Sequence, residues 1–207
     1  RTFDAIIIAC KPQQIDTAMP AYIEHLAADG CWLSIAAGYS TDSLAGVLGD
    51  SPILRLMPNL PALIGRSVNG LFANARCTEK HRDIAERLAR ATGSAIWVEA
   101  EDQIDRITAI AGSGTGYVFE IARSYVAAAE AMGFDRETAR TLVLETMGGA
   151  IDMAAQSELS LEDLRNSVMS KKGTTEAGIA ALRRDGLLDQ LLRETTEAAY
   201  ARACELR

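Results

Sequence analysis

The sequence predicts an α/β fold: a doubly wound sheet over roughly the first 100 residues, then an all-helical second half. Two observations carry this. Up to Glu101, short apolar runs alternate with amphipathic stretches, and runs that are apolar at every position mark strands buried on both faces. Beyond Glu101 no such run recurs, and helical periodicity continues to the end of the chain.

The elements follow in order. "DAIIIAC" is the first strand. Ile15 to Ala28 reads as an amphipathic helix with Ile15, Met19, Tyr22, Ile23 and Leu26 on one side. "CWLSIAA" is a second strand. "TDSLAGVLG" is a short helix with Thr41 as its expected N-cap and Gly49 as its stop. "PILRLM" is a third strand, and "SVNGLFAN" and "AIWVEA" are further strands around a helix from Thr78 to Thr92. Residues 102–111 read as a helix closed by a Gly-rich break. Helices are expected near 115–132, 135–156, 160–168, 174–184 and 186–205. These patterns place a domain boundary near residue 100: 1–100 the α/β part, 101–207 the helical part.

One of these helices is unusual. "TLVLETMGGAIDMAA" carries only Glu145 and Asp152 as charges. A helix apolar almost all round has to be buried on every side. A small helical domain cannot cover it alone, which predicts a partner chain. Gly148 and Gly149 would admit a second backbone closely.

Composition narrows the class. The chain has 207 residues, 48% hydrophobic and 24% charged, with a net charge of −7. That fits one or two globular domains. No basic block appears, which argues against a nucleic-acid partner. Cys10, Cys31, Cys77 and Cys204 are scattered without CxxC or metal spacing, and read as reduced thiols of a cytoplasmic protein. No apolar run reaches membrane-spanning length. The opening "RTFDAIIIACKP" lacks Met and starts inside a buried-strand pattern, so a segment preceding Arg1 is expected.

Open parallel sheets bind ligands outside the carboxyl ends of their strands. Lys11-Pro12, Ala36-Ala37-Gly38 and Met57-Pro58-Asn59 follow the first three strands. These are turn-forming, small or hydrogen-bonding residues, and ordinary turns use the same ones. "GSGTGY" (Gly112 to Tyr117) lacks nucleotide-loop spacing and follows a helix. It reads as a helix–helix junction with Ser113 and Thr115 as caps.

"SKKGTTEAGIAAL" (Ser170 to Leu182) sets two lysines where a helix begins, the end at which cations are unfavourable. Gly173, Thr174 and Thr175 offer free backbone N–H groups and hydroxyls there, a seat for a phosphate or a carboxylate equally. A capping turn with solvated lysines is the alternative. His25 and His81 lie on expected helices without a metal cluster, and no Ser-His-Asp set emerges. The chemistry is therefore expected from a cofactor.

Taken together, "ACKPQ", "SIAAGYS", "RLMPNLPALIG", "ITAIAGSGTGYVFE" and "VMSKKGTTEAGI" resemble, in order and spacing, the pyrroline-5-carboxylate reductases over essentially the whole chain. The resemblance implies a partial Rossmann-like doubly wound sheet followed by an all-α dimerisation domain. It implies reduction of 1-pyrroline-5-carboxylate to L-proline with NADP or NAD as cofactor, NADPH ahead. It implies a homodimer or higher oligomer, with no nucleic-acid or membrane partner. Lys11, Pro12, Ala37, Gly38 and Asn59 would line the cofactor, with Ser167 supplied from the partner half of the site. Ser170, Gly173, Thr174 and Thr175 would hold the substrate, and the Thr175 hydroxyl would hydrogen-bond the ring nitrogen as the catalytic group.

The chain departs from the family pattern at Thr115-Gly116 (usually Pro-Ala), at Lys171-Lys172 (often Pro-Gly) and at Leu60 (often Thr). The family's glycine-rich dinucleotide fingerprint is absent from these 207 residues, which implies weak cofactor binding by the chain as it stands. Another imine or β-hydroxyacid reductase, or a non-catalytic oligomerising fragment, are the rival readings.

Overall fold

Five strands form one sheet in sequential order in the computed structural model, which describes residues 1–206. They are β1 (Phe3–Ile8), β2 (Leu26–Ser34), β3 (Ile53–Met57), β4 (Ser67–Ala73) and β5 (Gly93–Trp97). β1, β2 and β3 run parallel, and β4 and β5 run parallel to each other. β4 is antiparallel to β3, with Met57 opposite Gly70. The reason lies in the connection: between Met57 and Ser67 the chain makes only a 3-10 turn, Leu60–Ile64. A parallel crossover needs a dozen or more residues.

Helices cover both faces. α1 (Pro12–Ala18) and α2 (Thr41–Leu48) bury Ile15, Leu44 and Leu48 against Ile8, Trp32 and Ile53. α3 (Glu79–Thr92) buries Ala85 and Ala89 against Leu33, Leu54, Leu56 and Leu71 on the other face. Alternate residues of β2 and β3 thus serve opposite layers, which is why these strands read as unbroken apolar runs.

Two local expectations are corrected. The first helix does not reach Ala28: α1 stops at Ala18, a 3-10 turn spans Met19–His25, and Leu26 already begins β2. Pro20 has no N–H for an α-helical bond, so the helical register cannot continue there. Thr41 is the first helical residue rather than the cap. Ser40 caps α2 by accepting the Ser43 N–H, while Gly49 ends the helix with φ of 77°.

The expected Gly-rich break is also absent as a break. α4 (Asp102–Ile107) passes into a π turn, Thr108–Gly112, closed by the Ser113 N–H on Thr108 O at 2.8 Å. α5 (Gly114–Ala131) follows directly, with Thr115 in its first turn. The π turn absorbs one extra residue without leaving the helical path. α6 (Arg136–Gln156), α7 (Leu161–Ser167), α8 (Thr174–Leu182) and α9 (Leu187–Leu206) complete the chain.

The chain divides into two compact units. The first holds residues 1–115 and the last residues from Thr196; the second holds residues 116–195. The second has a small core of Ala129, Ala139 and Val143, with Val126 and Met147 beside it. Burial of α6 on every side does not hold within one chain. Only Ala139 and Val143 are buried on it, while Ile151 and Met153 are 65% and 62% exposed.

Candidate active site

The residues expected at the site fall in both units. In the first, Lys11, Ala37, Gly38 and Asn59 follow the carboxyl ends of three parallel strands. In-register pairing of Ile8 with Ser34, and of Ser34 with Arg55, sets those ends along one edge of the sheet. Lys11 precedes α1, and its N–H donates to Gln14 Oε1 at 3.2 Å. Pro12 is the first residue of α1, where its missing N–H costs nothing. Ala37 is exposed, whereas Gly38 is buried in a left-handed conformation (φ 67°). A Cβ at Gly38 would stand 2.6 Å from Leu206 Cβ, so the last turn of α9 closes on this loop and only glycine fits.

Asn59 is held from three directions. Its Nδ2 donates to Ala111 O at 3.1 Å, and its Oδ1 accepts from Val68 N (3.0 Å) and Ser67 Oγ (3.2 Å). The side chain ties the end of β3 to the π turn and to β4, keeping one amide N–H in reserve. The π turn therefore borders the end of β3, through Ala111.

Beneath this edge lies an ion network that the sequence reading did not find. Arg55, on β3, is 1% exposed, and its Nη1 donates to Glu101 Oε1 at 3.1 Å. Asp105 Oδ1 is 3.9 Å from the same nitrogen. The Glu101 carboxylate also accepts the Thr41 N–H and the Thr41 hydroxyl, both at 2.7 Å. Stranding such a buried cation by removing its partner costs about 3–5 kcal/mol. The sequence did carry a signal: one arginine inside the apolar run "PILRLM", and Glu101 and Asp105 four residues apart.

Asp102, Asp105 and Cys204 converge nearby. Their carboxylates are already committed: Asp102 accepts from Tyr200 Oη and pairs with Arg106, and Asp105 faces Arg55. His81 serves structure too. Its Nδ1 accepts the Thr78 N–H at 3.1 Å, and its Nε2 lies 3.1 Å from Asp29 O.

In the second unit, Ser170 O accepts the Gly173 N–H at 2.8 Å, closing a tight turn with Lys172 at φ 60°. A Cβ on Gly173 would collide with Ser170 Oγ. Gly173 is the N-cap of α8 and has no side-chain cap to offer, so the first-turn N–H groups of Thr174 and Thr175 stay open. Glu176 instead turns back to accept the Lys172 N–H. Thr175 is half-buried, while Thr174, Ser170 and Ser167 are exposed. Ser167 Oγ donates to Leu164 O at 2.7 Å. Among the described residues neither Lys171 nor Lys172 has a carboxylate in ion-pair range of its ammonium. The turn thus leaves open amides at the start of α8, with two lysines beside them.

A family model described as pyrroline-5-carboxylate reductase dimerisation matches residues 101–206. The pyrroline-5-carboxylate reductase of Pseudomonas aeruginosa is 38% identical over 204 residues, covering 98% of this chain and 74% of the relative. The chain belongs to the pyrroline-5-carboxylate reductase family. Within it, pyrroline-5-carboxylate reductase 2 of Bacillus subtilis is 35% identical over 209 residues, covering 99% of this chain and 73% of that protein. The pyrroline-5-carboxylate reductase structure from Coxiella burnetii superposes with a TM-score of 0.92 at 38% identity, over 98% of this chain and 76% of that one. The reductase fold is thus shared along nearly the whole chain, α/β part and helices alike.

Proposed function

We propose that this chain reduces 1-pyrroline-5-carboxylate to L-proline, with NADPH or NADH as the reductant. The observation that carries the reading is the 38% identity to a pyrroline-5-carboxylate reductase over 98% of the chain. The residues fit a dinucleotide: an exposed lysine and small residues stand where three parallel strands end, at the edge where such sheets take nucleotides. Residues 1–100 would supply that half, and residues 101–207 the substrate and dimerisation half.

The proposed roles follow from the chemistry of each group. The N–H groups of Thr174 and Thr175, at the positive end of α8, hold the substrate carboxylate. Gly173 and Ser170 shape the turn that exposes them. Lys11, Pro12, Ala37, Gly38 and Asn59 line the dinucleotide, with Ser167 near it from the partner half. Bound nicotinamide supplies a hydride to the carbon of the C=N bond. That carbon accepts hydride readily once the ring nitrogen is protonated, and the Thr175 hydroxyl hydrogen-bonds that nitrogen. Positioning of a flat ring by its carboxylate then supplies much of the rate.

The dimerisation match over residues 101–206 supports assembly through the helices. A homodimer or higher oligomer is the form that covers the open face of α6. Among the described residues no helix is long and apolar enough to cross a membrane. Four free cysteines support a cytoplasmic setting, where thiols stay reduced. The test is oxidation of NADPH or NADH with a panel of substrates. Turnover is expected with 1-pyrroline-5-carboxylate; turnover only with the carbonyl partner of a β-hydroxyacid would overturn the reading.

A further inference from the structure

The loop after β2 is a proposed cofactor segment gripped by residues distant in sequence. Its far end, Thr41, gives both its N–H and its hydroxyl to one carboxylate, that of Glu101, at 2.7 Å each. Glu101 is sixty residues away in sequence and is itself anchored by Arg55 on β3. Its anionic head sits at the first turn of α2, where helix N–H groups and the dipole favour negative charge. Tyr39 Oη also donates to Asp16 on α1, and Leu206 closes on Gly38. The Arg55 Nε and Nη2 atoms are buried without hydrogen-bond partners, so Glu101 is the main compensation for that cation. A buried guanidinium kept in this state is expensive as a purely structural device.

We propose that Glu101, held by Arg55 and acting through Thr41, is a positioning residue that sets the Ala36–Ser40 loop for the dinucleotide. The chain of contacts is Arg55 to Glu101, Glu101 to Thr41, and Thr41 to the loop carrying Ala37 and Gly38. All three belong to the first compact unit, and the proposed substrate seat on α8 belongs to the second. The inference rests on the cofactor role given to this loop above, and it predicts a selective defect. Loosening the strut weakens dinucleotide binding and leaves handling of the imine acid intact.

The test uses Thr41→Val, which deletes one hydrogen bond to Glu101 and leaves the Arg55 ion pair in place, beside Thr41→Ser and Glu101→Gln. Thr41→Val should raise the KM for NADPH and its Kd by fluorescence titration about three- to tenfold, less than the roughly 10- to 100-fold worth of one hydrogen bond to a charged group because the strut acts on the dinucleotide at one remove. The KM for 1-pyrroline-5-carboxylate should not move. Thr41→Ser should restore the wild-type values, and Glu101→Gln should be at least as impaired as Thr41→Val. Should Thr41→Val fail to fold, Thr41→Ala removes the same hydroxyl. An unchanged NADPH affinity in the valine or alanine variant, or an equal rise in both KM values, would overturn the strut. Wild-type turnover judges the family reading separately, because the titration compares variants with wild type whether or not the imine acid is reduced.

Discussion

The role proposed for Thr175 is the most specific chemically, since its N–H would meet the substrate carboxylate and its hydroxyl the ring nitrogen. Thr175→Ala keeps the backbone N–H and removes the hydroxyl together with one methyl group. Loss of one hydrogen bond to a charged group is worth about 1.5–3 kcal/mol, so kcat should fall about 10- to 100-fold with the melting temperature unchanged. Wild-type rates in a steady-state assay would remove the hydroxyl from the mechanism. Cys31 offers a check on the core. It is fully buried, and desolvation pushes its thiol up to about 11, with the neighbouring Cys77 adding to the shift. It should resist alkylation near pH 8 in the folded protein and react once denaturant is added; rapid native labelling would contradict the packing of β2.

At the scale of elements, capping and connection length decide much of the local structure. Ser160 caps α7 by accepting the Asp163 N–H at 3.0 Å. Ser160→Ala should cost about 1 kcal/mol, read as a lower denaturant midpoint at unchanged m-value. Asp135 caps α6 through the Glu137 and Thr138 N–H groups, and its hydrogen bonding at Thr138 holds its carboxyl below the usual value of 3.8. Because the folded value is the lower one, the stabilisation is fully present above pH 3.8 and fades as pH falls through the depressed folded value. An acid titration followed by circular dichroism should show Asp135→Asn losing this acid-dependent component.

These elements also mark what could be read in advance. β1, β2, β3 and the span of α3 were legible because apolar runs and turn residues bounded them. The antiparallel turn of β4 was not, since strand direction follows from the length of the Pro58–Arg66 connection rather than from any residue type. The open amides of Thr174 and Thr175 were expected from the helix start after Gly173, where the structure has no side-chain cap; the ligand they take is a proposal. The Arg55–Glu101–Thr41 network was not, because it joins residues 46 and 60 positions apart.

For the whole molecule, the unfinished surface of the helical unit is the dominant feature. Phe119, Val126, Arg140 and Leu144 line a groove of about 560 Å³ between α5 and α6, and Leu142, Ile151 and Met153 of α6 are exposed. A second copy over this face, as proposed above, would explain why a helix with two charges in fifteen residues is tolerated. Sedimentation should find a dimer or larger species, and an arginine at Ile151 should shift it toward monomer; a stable wild-type monomer would contradict this. Whether the open amides of α8 take the substrate can be read from a crystal of the protein soaked with L-proline. The proline carboxylate should lie within hydrogen-bond distance of the Thr174 and Thr175 N–H groups. Proline bound elsewhere, with those amides facing solvent, would contradict it.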